Sequence, residues 1–166
     1  IDLINYPIEQ LETLIEEVAA KDISLVQGEK KEIEFANLSQ SEIRFETSSR
    51  NFQLKIGNKL NEEVALTMNG DENTFVLDRT NAGQSNFQKD FAGVQQMPVH
   101  SLPDGTYEVR ILIDLSSIEV FINKGQYAMT AQLFPTEPFT DLIIENLAED
   151  QILLQDFKVS EVNRIW

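Results

Sequence analysis

From Lys21 onward, apolar residues fall at every second position for most of the chain. Ile33 and Phe35 alternate with charged neighbours, as do Ile43 and Phe45. The same rhythm runs through Phe52, Leu54 and Ile56, then Val64, Leu66 and Met68, then Phe75 and Leu77. It returns in Val109, Ile111 and Ile113, in Ile118, Val120 and Ile122, and in Tyr127, Met129, Ala131 and Leu133. Strict alternation sets one face of a strand against a core and the other against water. Gly57-Asn58, Asn69-Gly70, Asp104-Gly105 and Asn123-Lys124-Gly125 separate the runs as turn signals. The denser runs Leu142-Ile143-Ile144 and Ile152-Leu153-Leu154 predict interior strands. Many short strands with little helix point to an antiparallel sandwich or barrel.

Two stretches depart from this rhythm. Pro7 to Val18 carries Ile8, Leu11, Ile15 and Val18 at helical spacing, which predicts a short helix with one buried stripe. Pro7 suits a first helical position, and Glu9 and Glu12 lie near the positive end of the dipole. The stripe also suits a connector made to meet a neighbouring domain, and the start at Ile1 reads as the interior of a longer protein. Arg79 to Pro103 is polar, holds Gly83 and Gly93, and shows no period, so it is predicted to be a long functional or mobile loop.

Composition narrows the function classes. The chain has 166 residues, one domain's worth, with 42% hydrophobic and 25% charged residues, enough apolar content for a core. It has no cysteine, which removes disulfides, thiolate metal sites and cysteine nucleophiles. Its single histidine, His100, has no partner of its kind for a metal, so neither metal nor cofactor is expected. The net charge of −15 argues against nucleic acid and anionic membranes, since phosphate neutralisation needs a basic patch. No apolar run approaches the ~20 residues of a membrane helix.

Carboxylates are the remaining chemistry. A glycoside-cleaving pair sits ~5–9.5 Å apart across a sugar pocket, and sequence alone does not reveal such a pair. Asp78, Asp114 and Glu119 draw attention. By parity Asp114 shares a face with Arg110 and Leu112, and Glu119 points away from Ile118 and Val120; salt bridges and strand-end hydrogen bonds account for such acids. Asn69 to Asn73 has calcium-type residues in the wrong order for a calcium loop and reads as a hairpin tip. Ser116-Ser117 reads as a turn. Sugars stack on exposed aromatics; Phe87, Phe91, Tyr107, Tyr127, Phe139 and Trp166 lie in the loop or near strand ends. Of these, Phe87 and Tyr107 are the candidates for a sugar contact.

Three blocks then fall in a known order. They are Thr74-Phe75-Val76-Leu77-Asp78-Arg79-Thr80, the run from Val109 to Gly125 containing Asp114-Leu115-Ser116-Ser117-Ile118-Glu119-Val120-Phe121-Ile122-Asn123, and Met129-Thr130 with Phe134-Pro135. They resemble the C-terminal β-sandwich of glycoside hydrolase family 32, the levanases, inulinases, invertases and other β-fructofuranosidases. That sandwich carries "LDR", "DRSSVEVFxNxG" and "mT…FP". Pro7 to Leu14 resembles the family's inter-domain linker. The resemblance implies an all-β fold: a two-sheet antiparallel sandwich, a concanavalin-like jelly roll, with a short N-terminal linker helix. Residues 1–21 would be the linker and 22–166 the sandwich. Leu115 stands where the family often has arginine, so any salt bridge of that arginine is missing.

The resemblance also implies what this chain lacks. The family's catalysis resides in an N-terminal five-bladed β-propeller, with its nucleophile in Trp-x-Asn-Asp-Pro-Asn-Gly, a stabiliser in Arg-Asp-Pro and an acid/base in Glu-Cys. Without cysteine there is no Glu-Cys, and none of the five prolines follows an aspartate. No catalytic residue carries over. The motif residues are expected to be structural: Phe121 and Phe134 with Pro135 as packing anchors, Asn123 and Gly125 as a hairpin turn, Asp78 and Arg79 as a strand-end polar pair, with Asp114 and Glu119 completing the motif.

The leading expectation is therefore a non-catalytic module that braces a missing propeller and aids a homodimer or contact with fructan. The parent would be a retaining enzyme of fructan or sucrose; an extracellular or periplasmic location is favoured, since the family's polymer-degrading members are exported while its sugar-phosphate members stay inside. A free-standing carbohydrate-binding module is the second reading. The third is an oligomerisation module in which Ile8, Leu11 and Ile15 meet a second copy.

Overall fold

The alternating runs form twelve strands among the described residues, 4–163, of the computed structural model. They make two six-stranded antiparallel sheets. The first sheet has, in spatial order, β1 (Lys21–Leu25), β12 (Ile152–Glu161), β3 (Ser41–Thr47), β8 (Tyr107–Asp114), β9 (Ser117–Ile122) and β10 (Tyr127–Gln132). The second has β2 (Lys30–Glu34), β11 (Asp141–Asn146), β4 (Asn51–Gly57), β5 (Glu63–Asn69), β6 (Thr74–Asn81) and β7 (Val94–Pro98). β11 and β12, predicted as interior strands, are each flanked on both sides.

Parity places the core between the sheets. β4 and β5 each alternate half-buried and buried residues along their whole length, burying Phe52, Leu54, Ile56, Val64, Leu66 and Met68. From the first sheet, Ile43, Phe45, Ile111, Val120 and Ile122 join the same cluster. Each side chain of this size adds about 1.5–3 kcal/mol when fully buried. Phe45 of β3 meets Phe52 of β4 edge to face, centroids 5.7 Å apart, and stacks on Phe157 of β12. Those rings tie the two sheets together.

Two expectations need correction. The helix predicted over Pro7 to Val18 is a six-residue 3-10 helix, Glu9–Leu14. Ile15 leaves it in an extended conformation and forms a bridge with Val162. Glu16 N–H donates to the Glu161 carbonyl, and Asn163 N–H donates to the Leu14 carbonyl. Strand-like pairing with the end of β12 thus displaces further helical turns. Leu11 and Leu14, one turn apart, are half-buried, while Ile8, placed in the buried stripe, precedes the helix in an extended conformation and is 71% exposed.

The predicted long loop is also shorter than Arg79 to Pro103. β6 continues through Asn81, and Val94–Pro98 pairs with β6 as an edge strand. Only Met97 gives β7 an apolar inward position, so its alternation is too faint to read, and Pro98 is tolerated because an edge residue can do without an outward N–H. The stretch between β6 and β7 is clipped to the chain after β10 by Gly83, which bridges Phe134, and by Gln84 N–H donating to the Phe134 carbonyl. Gly83 has φ +116, and a Cβ there would overlap that carbonyl, so the clip requires glycine.

Candidate functional site

The polar chemistry of the molecule gathers on the outer face of the first sheet. In register across it, Lys158 of β12 faces Arg44 of β3, Arg44 faces Arg110 of β8, Arg110 faces Phe121 of β9, and Phe121 faces Ala128 of β10. The next row is Ser160, Glu42, Leu112, Glu119 and Thr130. Alternation alone would leave both rows in water. Instead Arg110 and Glu42 are 3% and 2% exposed.

The N-terminal segment covers them. Asn5 N–H donates to the Gly125 carbonyl, which draws the segment over the turn between β9 and β10. The Tyr6 ring then meets Phe121 edge to face at 5.8 Å and takes the Arg110 guanidinium on its face at 5.0 Å. Farther along, Glu12 accepts two hydrogen bonds from Arg44, at 2.6 and 2.8 Å, and lies 3.0 Å from Arg110. Beneath, Glu42 accepts from Arg110 Nε at 2.6 Å and from Arg44 Nε. Two arginines and two glutamates thus close a neutral ring between the N-terminal segment and the sheet.

Electrostatics follow from that closure. Burial pushes the Glu12 carboxyl up, but hydrogen bonding to Arg44 and the charges of Arg110 and Arg44 outweigh it and hold the group below the ordinary carboxylate range. Burial lowers Arg44, yet Glu42 and Glu12 together raise it above an ordinary arginine. The one fully buried carboxylate among the described residues, Glu42, is therefore held between two guanidinium groups. That arrangement fastens the N-terminal segment to the sheet.

The Asn-x-Gly turn serves the same fastening. Asn123, Lys124 and Gly125 have φ of 53, 55 and 81°. The Asn123 side chain donates to the His100 carbonyl at 2.8 Å and accepts from Glu108 N–H at 3.1 Å. A Cβ on Gly125 would overlap the Asn5 carbonyl, so glycine is what lets the segment lie so close.

The other singled-out residues are dispersed. Asp78 and Arg79, expected as a polar pair, do not bond to each other. Asp78 accepts from Thr80 N–H and Oγ1 at 2.9 and 2.7 Å, while Arg79 donates to the Gln132 carbonyl and lies 4.2 Å over the Phe91 ring. Consecutive strand residues point to opposite faces, which prevents the pairing. Asp114 is exposed and accepts from Leu115 N–H. Glu119 projects outward between Leu112 and Thr130, as parity predicts. Phe121 is 7% exposed beneath Tyr6. Phe134, expected as a packing anchor with Pro135, is 38% exposed and meets Phe87 and Phe91 at 5.4 and 5.3 Å.

The two sugar-contact candidates part company. Phe87 is 58% exposed. Tyr107 is 2% exposed at an inward position of β8, which leaves no face for a sugar to stack on. Asn69 to Asn73 is the tip joining β5 and β6, and among the described residues no three His, Cys, Asp or Glu side chains converge as metal ligands. Ile1 and Trp166 lie outside the described residues. Tyr6, Glu12, Glu42 and Arg110 as a unit were not found from sequence. A charged residue between apolar neighbours, as at Arg44 and Arg110, is the ordinary outward position of an alternating strand and carries no signal of the site.

A family model described as the C-terminal domain of glycosyl hydrolases family 32 matches residues 10–161. The chain belongs to glycosyl hydrolase family 32, as its C-terminal domain. A sucrose-6-phosphate hydrolase of Streptococcus mutans is 26% identical over 144 residues, covering 87% of this chain and 28% of that protein. An extracellular exo-inulinase of Aspergillus niger is 45% identical over 62 residues, covering 36% of this chain and 11% of the relative. Among solved structures, exo-inulinase from Aspergillus awamori superposes with a TM-score of 0.81 at 19% identity, over 98% of this chain and 33% of that one. Sucrose-6-phosphate hydrolase from Lactobacillus gasseri gives 0.71 at 15% identity, over 98% and 31%. The family-32 sandwich thus spans about a third or less of these relatives, and at such identities the structures speak for the fold alone.

Proposed function

We propose that this domain is the non-catalytic module of a fructan- or sucrose-hydrolysing enzyme, bracing an N-terminal β-propeller that carries the chemistry. The observation that carries the reading is the fate of the buried acid: Glu42 is neutralised by Arg44 and Arg110, and Glu12 is held ionised by the same two side chains. A glycosidase needs one carboxyl with a raised pKa facing a second across a sugar. Here the charge network fastens a linker to a sheet, which suits a part that holds another part in place. The names of the similar enzymes, a sucrose-6-phosphate hydrolase and exo-inulinases, support that substrate class for the whole.

Purified domain incubated with sucrose, levan or inulin is expected to release no more fructose than a heat-killed control. Fructose release that follows the folded protein through gel filtration refutes the reading.

The second reading, a free carbohydrate-binding module, is favoured by one observation: the exposed Phe87 ring beside Phe91 and Phe134. Titration calorimetry with fructo-oligosaccharides separates the two. Heat that disappears in Phe87→Ala supports binding; no heat supports the brace.

A further inference from the structure

A bulge in β12 opens a cavity that the fastening leaves unfilled. The pairing of β12 with β3 slips between Gln155 and Lys158, and Asp156 takes a left-handed φ of 52°. Bulges re-aim side chains and recur beside functional sites. Here Asp156 and Lys158 line a cavity of about 360 Å³, together with Tyr6 of the N-terminal segment. It lies on the Glu46 and Glu108 side of the row that holds Arg44 and Arg110. Small-molecule pockets span about 300–1,000 Å³, so the cavity suits a small ligand.

Two of its cations are left without a full set of partners. Arg110 lines the cavity and is 3% exposed, yet among the described residues its Nη1 has no hydrogen-bond acceptor. Lys158 pairs with no carboxylate among the described residues. A buried donor without an acceptor is costly and rare, and an acceptor atom entering the cavity answers both groups.

Charge balance says what kind of molecule brings that atom. The cations are Arg44, Arg110, Lys124 and Lys158, and Glu12 and Glu42 already hold both arginines. The acids are Glu46, Glu108 and Asp156. An anion would meet those acids and a cation those bases, and neither would have its charge compensated. A hydroxyl group both donates and accepts. Several on one neutral molecule can accept from Arg110 and Lys158 and donate to Glu46 and Asp156, with the 40% exposed Tyr6 ring against its C–H face.

We propose that this cavity binds a small neutral polyol, a mono- or disaccharide, between Tyr6 and the bulge of β12. The ligand touches the N-terminal segment and the sheet together, so its binding clamps the segment in place. The site goes beyond the bracing role and does not depend on it.

Titration calorimetry of this chain with sucrose and with fructose tests it. Millimolar binding is expected. Lys158→Ala and Glu46→Ala, which leave the melting unaltered, are each expected to weaken it about tenfold or more, and Phe87→Ala is expected to leave it unchanged. Amide exchange in residues 5–14 is expected to slow about tenfold at a sugar concentration ten times Kd. Fructo-oligosaccharides in the same titration tell a chain end from a free sugar, and binding of either that depends on Lys158 supports the site. Binding lost in Phe87→Ala moves the ligand to the exposed ring and overturns the assignment. Inorganic phosphate bound more tightly than sucrose overturns the charge argument. No binding of any sugar at about 50 mM removes the site. Each of these failures leaves the bracing role standing, because that reading is tested by fructose release.

Discussion

Replacing Arg110 by leucine probes the fastening directly. Arg110 is 3% exposed and its Nε donates to Glu42 at 2.6 Å, with Glu12 3.0 Å away and Tyr6 across its guanidinium. Removing one partner of a buried ion pair costs about 3–5 kcal/mol, because the remaining charge is left without compensation. Arg44 still contacts Glu42 and is itself 31% exposed, so water softens the loss and about 3 kcal/mol is expected. For a domain of this size that lowers Tm by roughly 6–12 °C. Glu42→Leu leaves Arg110 similarly stranded. The double variant buries two leucines side by side on adjacent strands, and apolar replacement of a buried pair is close to neutral. Urea unfolding of wild type, both single variants and the double variant gives the coupling energy, expected at about 2 kcal/mol or more. Additive single effects, or an Arg110→Leu cost within about 0.5 kcal/mol, would mean that the buried pair is not what holds this face, and the reasoning would fail.

Glu12 sits below the ordinary carboxylate range, so the folded state binds its proton less readily than the unfolded chain; its stabilisation is complete above the ordinary value of 4.5 and fades as pH falls through the lower folded value. Urea midpoints measured from neutral pH down to pH ~3 are expected to fall less steeply in Glu12→Gln than in wild type, and parallel curves would contradict the assignment. Gly125→Ala meets both a positive φ and the Asn5 carbonyl, and is expected to cost about 1–2 kcal/mol and to speed amide exchange in residues 5–15; stability unchanged from wild type would show that the segment does not depend on this approach.

The strand content of this protein is legible in its sequence. Alternation is a local property: a half-buried strand must place apolar residues two apart, and β4, β5, β8 and β9 follow that rule. Turns with Asn and Gly were readable for the same reason, since φ near +55 to +80° at Asn123 to Gly125 favours those residue types. The edge strand β7 escaped because one inward methionine makes no period. The helix was overestimated because helical spacing in Pro7 to Val18 carries no information about the end of β12, which competes for the backbone of Ile15 and Glu16. Tertiary structure alone decided the candidate site. Glu12, Glu42 and Arg110 are 30 and 68 residues apart in succession, and the burial of two of them comes from a segment that crosses the sheet only in the folded molecule. Periodicity tells which side of a strand a residue is on; it does not tell what will later be laid over that side, because that depends on contacts between residues distant in the chain.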